Sequence, residues 1–117
     1  MIIGSQRVKK AVLTALADEE MVKILESTSD LAKSVREIIT EKGIPYTNAY
    51  RKTKWLLAER LVVIDKIIIT PEGKKFSLFR SVLSSINIKY GKNEIIIEAE
   101  QNLNPKIKTM ERFFSLE

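Results

Sequence analysis

The chain contains no cysteine and no histidine. Disulfides, thiolate metal sites and Cys- or His-dependent nucleophiles are therefore excluded. Its serines are left with only a Ser–Lys arrangement, which no motif supports, so no enzymatic activity is expected. The four glycines stand isolated at 4, 43, 73 and 91, and no glycine-rich loop is present to cradle a phosphate. The longest apolar run is four residues, far short of the roughly 20 that span a bilayer. The opening MIIGSQRVKK lacks the sustained apolar region of a secretory leader. These absences lead us to expect a cytoplasmic protein with no membrane, metal or cofactor.

At 117 residues the chain has the length of one domain, or of one domain with an appendage. A hydrophobic fraction of 44% suits a folded core, a small one that dimerisation would enlarge. Twenty Lys and Arg against fifteen Asp and Glu leave a formal charge of +5, a mild bias toward polyanions.

Apolar residues at helical spacing (Val8, Ala11, Val12, Ala15, Leu16) predict a first helix from Ser5 to Leu16. Asp18 is a candidate N-cap for a second, with Glu19 and Glu20 in the first turn. Its buried side is expected to hold Val22, Ile24 and Leu25. Ser34-x-x-Glu37 is a capping box that opens a third helix, and Gly43 is placed to end it. Pro45 opens or caps a fourth, with Ala49, Thr53, Leu56 and Leu57 inward and Leu61 closing the core. Leu61–Ile64 and Ile67–Thr70 predict a small hairpin around Asp65-Lys66, and Thr70-Pro71-Glu72-Gly73 predicts a further helix start. From Ser81 the period becomes two, with Val82, Ser84, Ile86, Ile88 and Tyr90 on one face. A turn at Gly91-Lys92-Asn93 and a return strand Glu94–Glu100 follow. Ile107, Met110, Phe113 and Phe114 predict a short tail helix.

Helix, tight turn, helix and strand pair, in that order from Ser34 to Thr70, are the pattern of a helix-turn-helix with a wing. Thr47, Asn48, Tyr50, Arg51 and Lys54 fall at i, i+1, i+3, i+4 and i+7 on the second of those helices, making one polar stripe. Arg51 can donate two bonds to guanine, and Asn48 can pair with adenine. Thr47 and Tyr50 can bond phosphate or touch a thymine methyl. Tyr46 belongs to the groove or to a packing contact. Arg36, with Lys33 beside it, is placed to clamp the backbone, and Lys66 to touch phosphate from the wing tip. Lys52 is a phosphate contact or a solvated charge. The plain alternative is a solvated helix face that binds nothing. Trp55, the sole tryptophan, lies off the inward stripe and is read as packing.

From Ala17 to Gly73 the chain resembles the winged helix-turn-helix domain of arsenical-repressor-like transcription regulators, archaeal ones in particular. LADEEMVKIL, SVREIITEKGI, PYTNAYRKTKWLLAERLV and ITPEG carry the likeness. The resemblance implies a homodimeric DNA-binding repressor or activator whose third helix reads the major groove. It does not imply a metal response, because the Cys and His residues of the founding members are missing. Arg60 stands where a Gly is usual after the recognition helix, and the wing is minimal.

The expected fold is thus α+β. Residues 1–80 would form a winged helix-turn-helix domain, a three-helix core with a small β-hairpin wing. Residues 81–117 would form a C-terminal β-hairpin and short helix, for packing or dimerisation. The expected partner is double-stranded DNA, bound by a homodimer in sequence-dependent transcriptional regulation. The alternatives are a winged-helix protein–protein interaction module and a non-specific DNA or chromatin binder.

Overall fold

Each of the first three helices starts at a side-chain cap. The Ser5 hydroxyl accepts from the Val8 N–H and starts α1, Gln6–Leu16. The Asp18 carboxylate accepts from the Met21 N–H and starts α2, Glu19–Ser27. Ser34 and Glu37 form a reciprocal capping box at the start of α3, Val35–Lys42. These bonds satisfy N–H groups that have no partner within the helix, each substitution to Ala costing about 1 kcal/mol. Gly43 ends α3 at φ 67°, a left-handed position that glycine occupies without steric cost. Pro45 precedes α4, Tyr46–Ala58, and provides no side-chain cap.

The computed structural model describes residues 1–102, and the predicted tail helix through Ile107 and Phe114 lies outside them. Within the described residues the chain is α+β, with four helices and two small antiparallel sheets. Strand β1, Val62–Ile69, pairs with β2, Lys75–Ser81. Strand β3, Leu83–Gly91, pairs with β4, Glu94–Gln101. A single backbone bridge joins Lys33 to Phe79, the Lys33 N–H donating to Phe79 O at 2.9 Å and the Phe79 N–H to Lys33 O at 2.7 Å. The entry to α3 is therefore stitched to the second strand of the first hairpin. Residues 1–3 add a short edge to β4, with the Ile3 N–H donating to Ile97 O at 2.9 Å.

All of these elements share one core. Ile3, Val8, Val12, Ile24, Ile38, Leu56, Leu61, Val62, Val82 and Ile97 are almost wholly shielded from water. Truncating one such residue, as in Leu56→Ala, costs roughly 2–5 kcal/mol through lost contacts and the cavity left behind. Met21 rather than Val22 joins Ile24 and Leu25 on the buried side of α2. No helix among the described residues is long and apolar enough to cross a membrane.

The first hairpin departs from the sequence expectation. Asp65-Lys66 is not a turn: the chain runs through it as one strand, with a bulge between Ile64 and Lys66. Six of the eight residues of β1 are Val or Ile, which favour extended backbone, and Asp-Lys lacks the Gly that a two-residue hairpin turn favours. The turn falls instead on Thr70–Lys74, where a helix was expected. The Thr70 hydroxyl accepts from the Lys74 N–H at 3.0 Å, the Gly73 N–H donates to Thr70 O at 2.9 Å, and Gly73 takes φ 84°. Gly73 thus provides the positive φ that Asp-Lys could not.

The second hairpin follows its expected pattern with one shift. A register irregularity between Leu83 and Ser85 puts Leu83, not Ser84, into the core. Beyond it Ile86, Ile88 and Tyr90 stand opposite Ala99, Ile97 and Ile95 on one face.

Candidate nucleic-acid interface

A groove of about 900 Å³ runs between the first hairpin and helices α3 and α4. Val35 and Arg36 contribute from the start of α3, and Tyr50, Arg51, Thr53 and Lys54 from α4. Lys74, Lys75, Phe76, Ser77 and Phe79 form the hairpin wall. Five cations and no acid line this space. Among the described residues none of the five is held in an ion pair.

Helical geometry explains the α4 wall. Tyr50, Arg51 and Lys54 are spaced to share one side, while Ala49, Thr53 and Leu56 point to the core. Arg51 and Lys54 are exposed. Tyr50 stacks at a tilt on Tyr46, the ring centroids 4.6 Å apart and the planes at 43°. Burial, then the neighbouring Tyr46, pushes the Tyr50 phenol above its ordinary pKa, against the opposing charge of Arg36. Tyr50 is therefore a neutral hydroxyl near pH 7, able to donate a bond to an anion. Tyr46 is 67% exposed and Thr47 is exposed, both outside the groove lining.

Four sequence readings require correction. Asn48 does not face outward with the stripe: its Nδ2 donates to Glu20 Oε1 at 3.1 Å, across to α2. Lys52, one turn further on, is neither solvated nor free for phosphate. Its Nζ lies 2.8 Å from both Asp18 Oδ2 and Glu20 Oε1, with only 12% of the side chain exposed. Asn48 and Lys52 are i and i+4, so both reach the acidic start of α2 and fix α4 upon it. Hydrogen bonds that Lys52 donates to Asp18 and then Glu20 raise its pKa. Burial acts to raise the Asp18 pKa, but the bonds from Lys52 and the Met21 N–H outweigh it, and the net direction is down. Lys33 is likewise occupied, by Glu41 of α3, whereas Arg36 is in no ion pair among the described residues.

Lys66 is the fourth correction. It lies within β1, opposite Leu78, and not at the hairpin tip. The hairpin wall of the groove is made by Lys74, Lys75, Phe76, Ser77 and Phe79. Lys66 is exposed and takes no part in that wall. The residues that take its place, Lys74, Lys75 and Phe76, were not singled out in the sequence. Their signal was the K-K-F run just after Thr70-Pro71-Glu72-Gly73, legible only when that tetrapeptide is read as a turn.

The arrangement can hold an extended anion along the groove. Cations on opposite walls straddle it, with aromatic surface between them. Among the described residues no group of three or more Asp and Glu could hold a metal ion. No protein-family model, curated protein or solved structure matches the chain.

Proposed function

We propose that this protein is a winged helix-turn-helix DNA-binding protein that regulates transcription as a homodimer. The observation that carries the reading is the acid-free groove lined by Arg36, Arg51, Lys54, Lys74 and Lys75. Element order supports it: helix α2, the lone bridge at Lys33, helices α3 and α4, then strands β1 and β2, is the order of a winged helix. In this reading α4 enters the major groove with Tyr50, Arg51 and Lys54, and the β1–β2 wing lies on the adjacent backbone. Thr47 and Tyr46 extend the contact at the start of α4. One short helix reads few bases, and a second half-site contributed by a twin subunit multiplies the specificity. The exposed end of the β3–β4 hairpin, where Tyr90 is 82% exposed, is the surface we assign to that pairing.

Selection of bound duplexes from a random pool tests the reading. A regulator enriches a defined sequence and prefers it over random duplex by about a thousandfold or more. Binding with steep salt dependence and no preference makes it a general DNA binder. No retention of duplex, together with partner binding indifferent to charge reversal at Arg51 and Lys54, makes it a protein–protein adaptor.

A further inference from the structure

We infer that the groove between α4 and the wing accepts an unpaired DNA strand, so that the preferred target is a duplex with a single-stranded extension. The inference rests on the reading that this surface faces DNA and adds the form that DNA takes.

The wing is unusually apolar for an element meant to lie along phosphates. Phe76 is 42% exposed and lines the groove, and Tyr50, on the opposite wall, is 45% exposed. Ile67 and Ile69 are 56% and 64% exposed. They stand opposite Ser77 and Lys75 in the ladder of the same hairpin. The turn at the tip carries the acid Glu72. A paired duplex offers such a surface very little, because its base faces are hidden in the stack and only edges and phosphates are presented. An unpaired strand offers both things the groove is built from. Its phosphates match Arg51, Lys54, Lys74 and Lys75, and its bare base faces match Tyr50 and Phe76. A cationic channel combined with aromatic platforms is the general chemistry of single-strand binding. Charge complementarity selects the polyanion, and the exposed rings select one whose bases are uncovered.

Fluorescence anisotropy with the full chain provides the test. Three labelled substrates are compared: a blunt duplex, the same duplex with a short single-stranded overhang, and that duplex with an overhang of abasic sites. The overhang is expected to lower Kd by about tenfold, the gain from stacking roughly one base. The abasic overhang, which keeps the phosphates and removes the bases, is expected to give much less. Phe76→Leu, which keeps apolar bulk without the ring, is expected to erase the difference between the blunt and overhang substrates. Circular dichroism checks that the variant is folded, and Tyr50→Leu is an independent second variant. An overhang without effect, or an abasic overhang equally effective, overturns the inference while leaving the duplex reading intact. Binding to the overhang duplex only, with the blunt duplex ignored, supports the inference and overturns the duplex reading. No binding to any substrate overturns both.

Discussion

The Lys52 ammonium lies 2.8 Å from Oδ2 of Asp18, the residue that also caps α2. One carboxylate thus starts a helix and anchors another, since Asp18 accepts from the Met21 N–H and from Lys52 together. The side chain that the sequence left as a phosphate contact or a solvated charge is a brace between two helices. This brace has a calculable dependence on pH.

Asp18 is held below its ordinary value of 3.8, so its contribution is present above that pH and is lost as pH falls through the lower folded value. Lys52 is held above its ordinary 10.5, so its contribution is complete below that pH and is lost as pH rises through the folded value. Lys52→Met is expected to cost about 1 kcal/mol near neutrality, the scale of a partly exposed pair. The cost should shrink in acid below the Asp18 range and in strong alkali. Urea denaturation of both proteins across pH measures it, and a difference that stays constant in acid and alkali removes the brace from the account.

Arg51→Ala should weaken binding to a selected duplex by about tenfold if it reads a base bidentately, with the fold unaltered. If Arg51 neutralises a phosphate instead, the slope of log K against log salt should fall by about 0.9. Anisotropy titrations at several salt concentrations separate these roles. An unchanged Kd with an unchanged slope takes Arg51 out of the interface.

Arg60→Gly should stabilise the fold by about 0.5–1 kcal/mol, the net of relieved backbone strain and greater unfolded-chain freedom. The helix α4 ends in a Schellman motif, with the Leu61 N–H donating to Leu56 O at 2.9 Å and the Arg60 N–H to Leu57 O at 3.0 Å. That motif puts Arg60 at φ 62°, where a side chain is strained and glycine is not. A melting temperature that rises by a few degrees is the expected readout. A fall would mean that contacts of the Arg60 side chain outweigh the relief.

Thr53→Val should also stabilise, by about 1 kcal/mol. The Thr53 side chain is buried beneath the groove, and its hydroxyl has no hydrogen-bond partner among the described residues. Valine has nearly the same shape without the unpaired oxygen, whose burial costs about 1–3 kcal/mol. Chemical denaturation reads the change, and a loss of stability would show that the hydroxyl is satisfied in solution.

The helices were legible because their signals are local. Ser34 and Glu37 lie three residues apart, Asp18 directly precedes its helix, and Gly43 follows α3 at once, so capping can be read from a short window. The first hairpin was harder, because β1 contains a polar pair that its neighbours absorb as a bulge. Local propensity saw Asp65-Lys66 as a break, while pairing of Ile68 with Phe76 and of Ile67 with Ser77 carries the strand through it. In the site, Arg51 and Lys54 followed from helical spacing alone. Asn48 and Lys52 could not, since their fate depends on carboxylates 28 and 34 residues away on another helix. Lys74 and Lys75 entered the site only through the correct placement of the turn.

Two main-chain bonds tie Lys33 to Phe79, fixing the start of α3 against the second strand of the first hairpin. Swinging the hairpin away from α3 at that end would break both. If the groove holds nucleic acid as proposed, its ligand meets a gap already gauged at that end, and curvature of the bound strand is the imprint to look for.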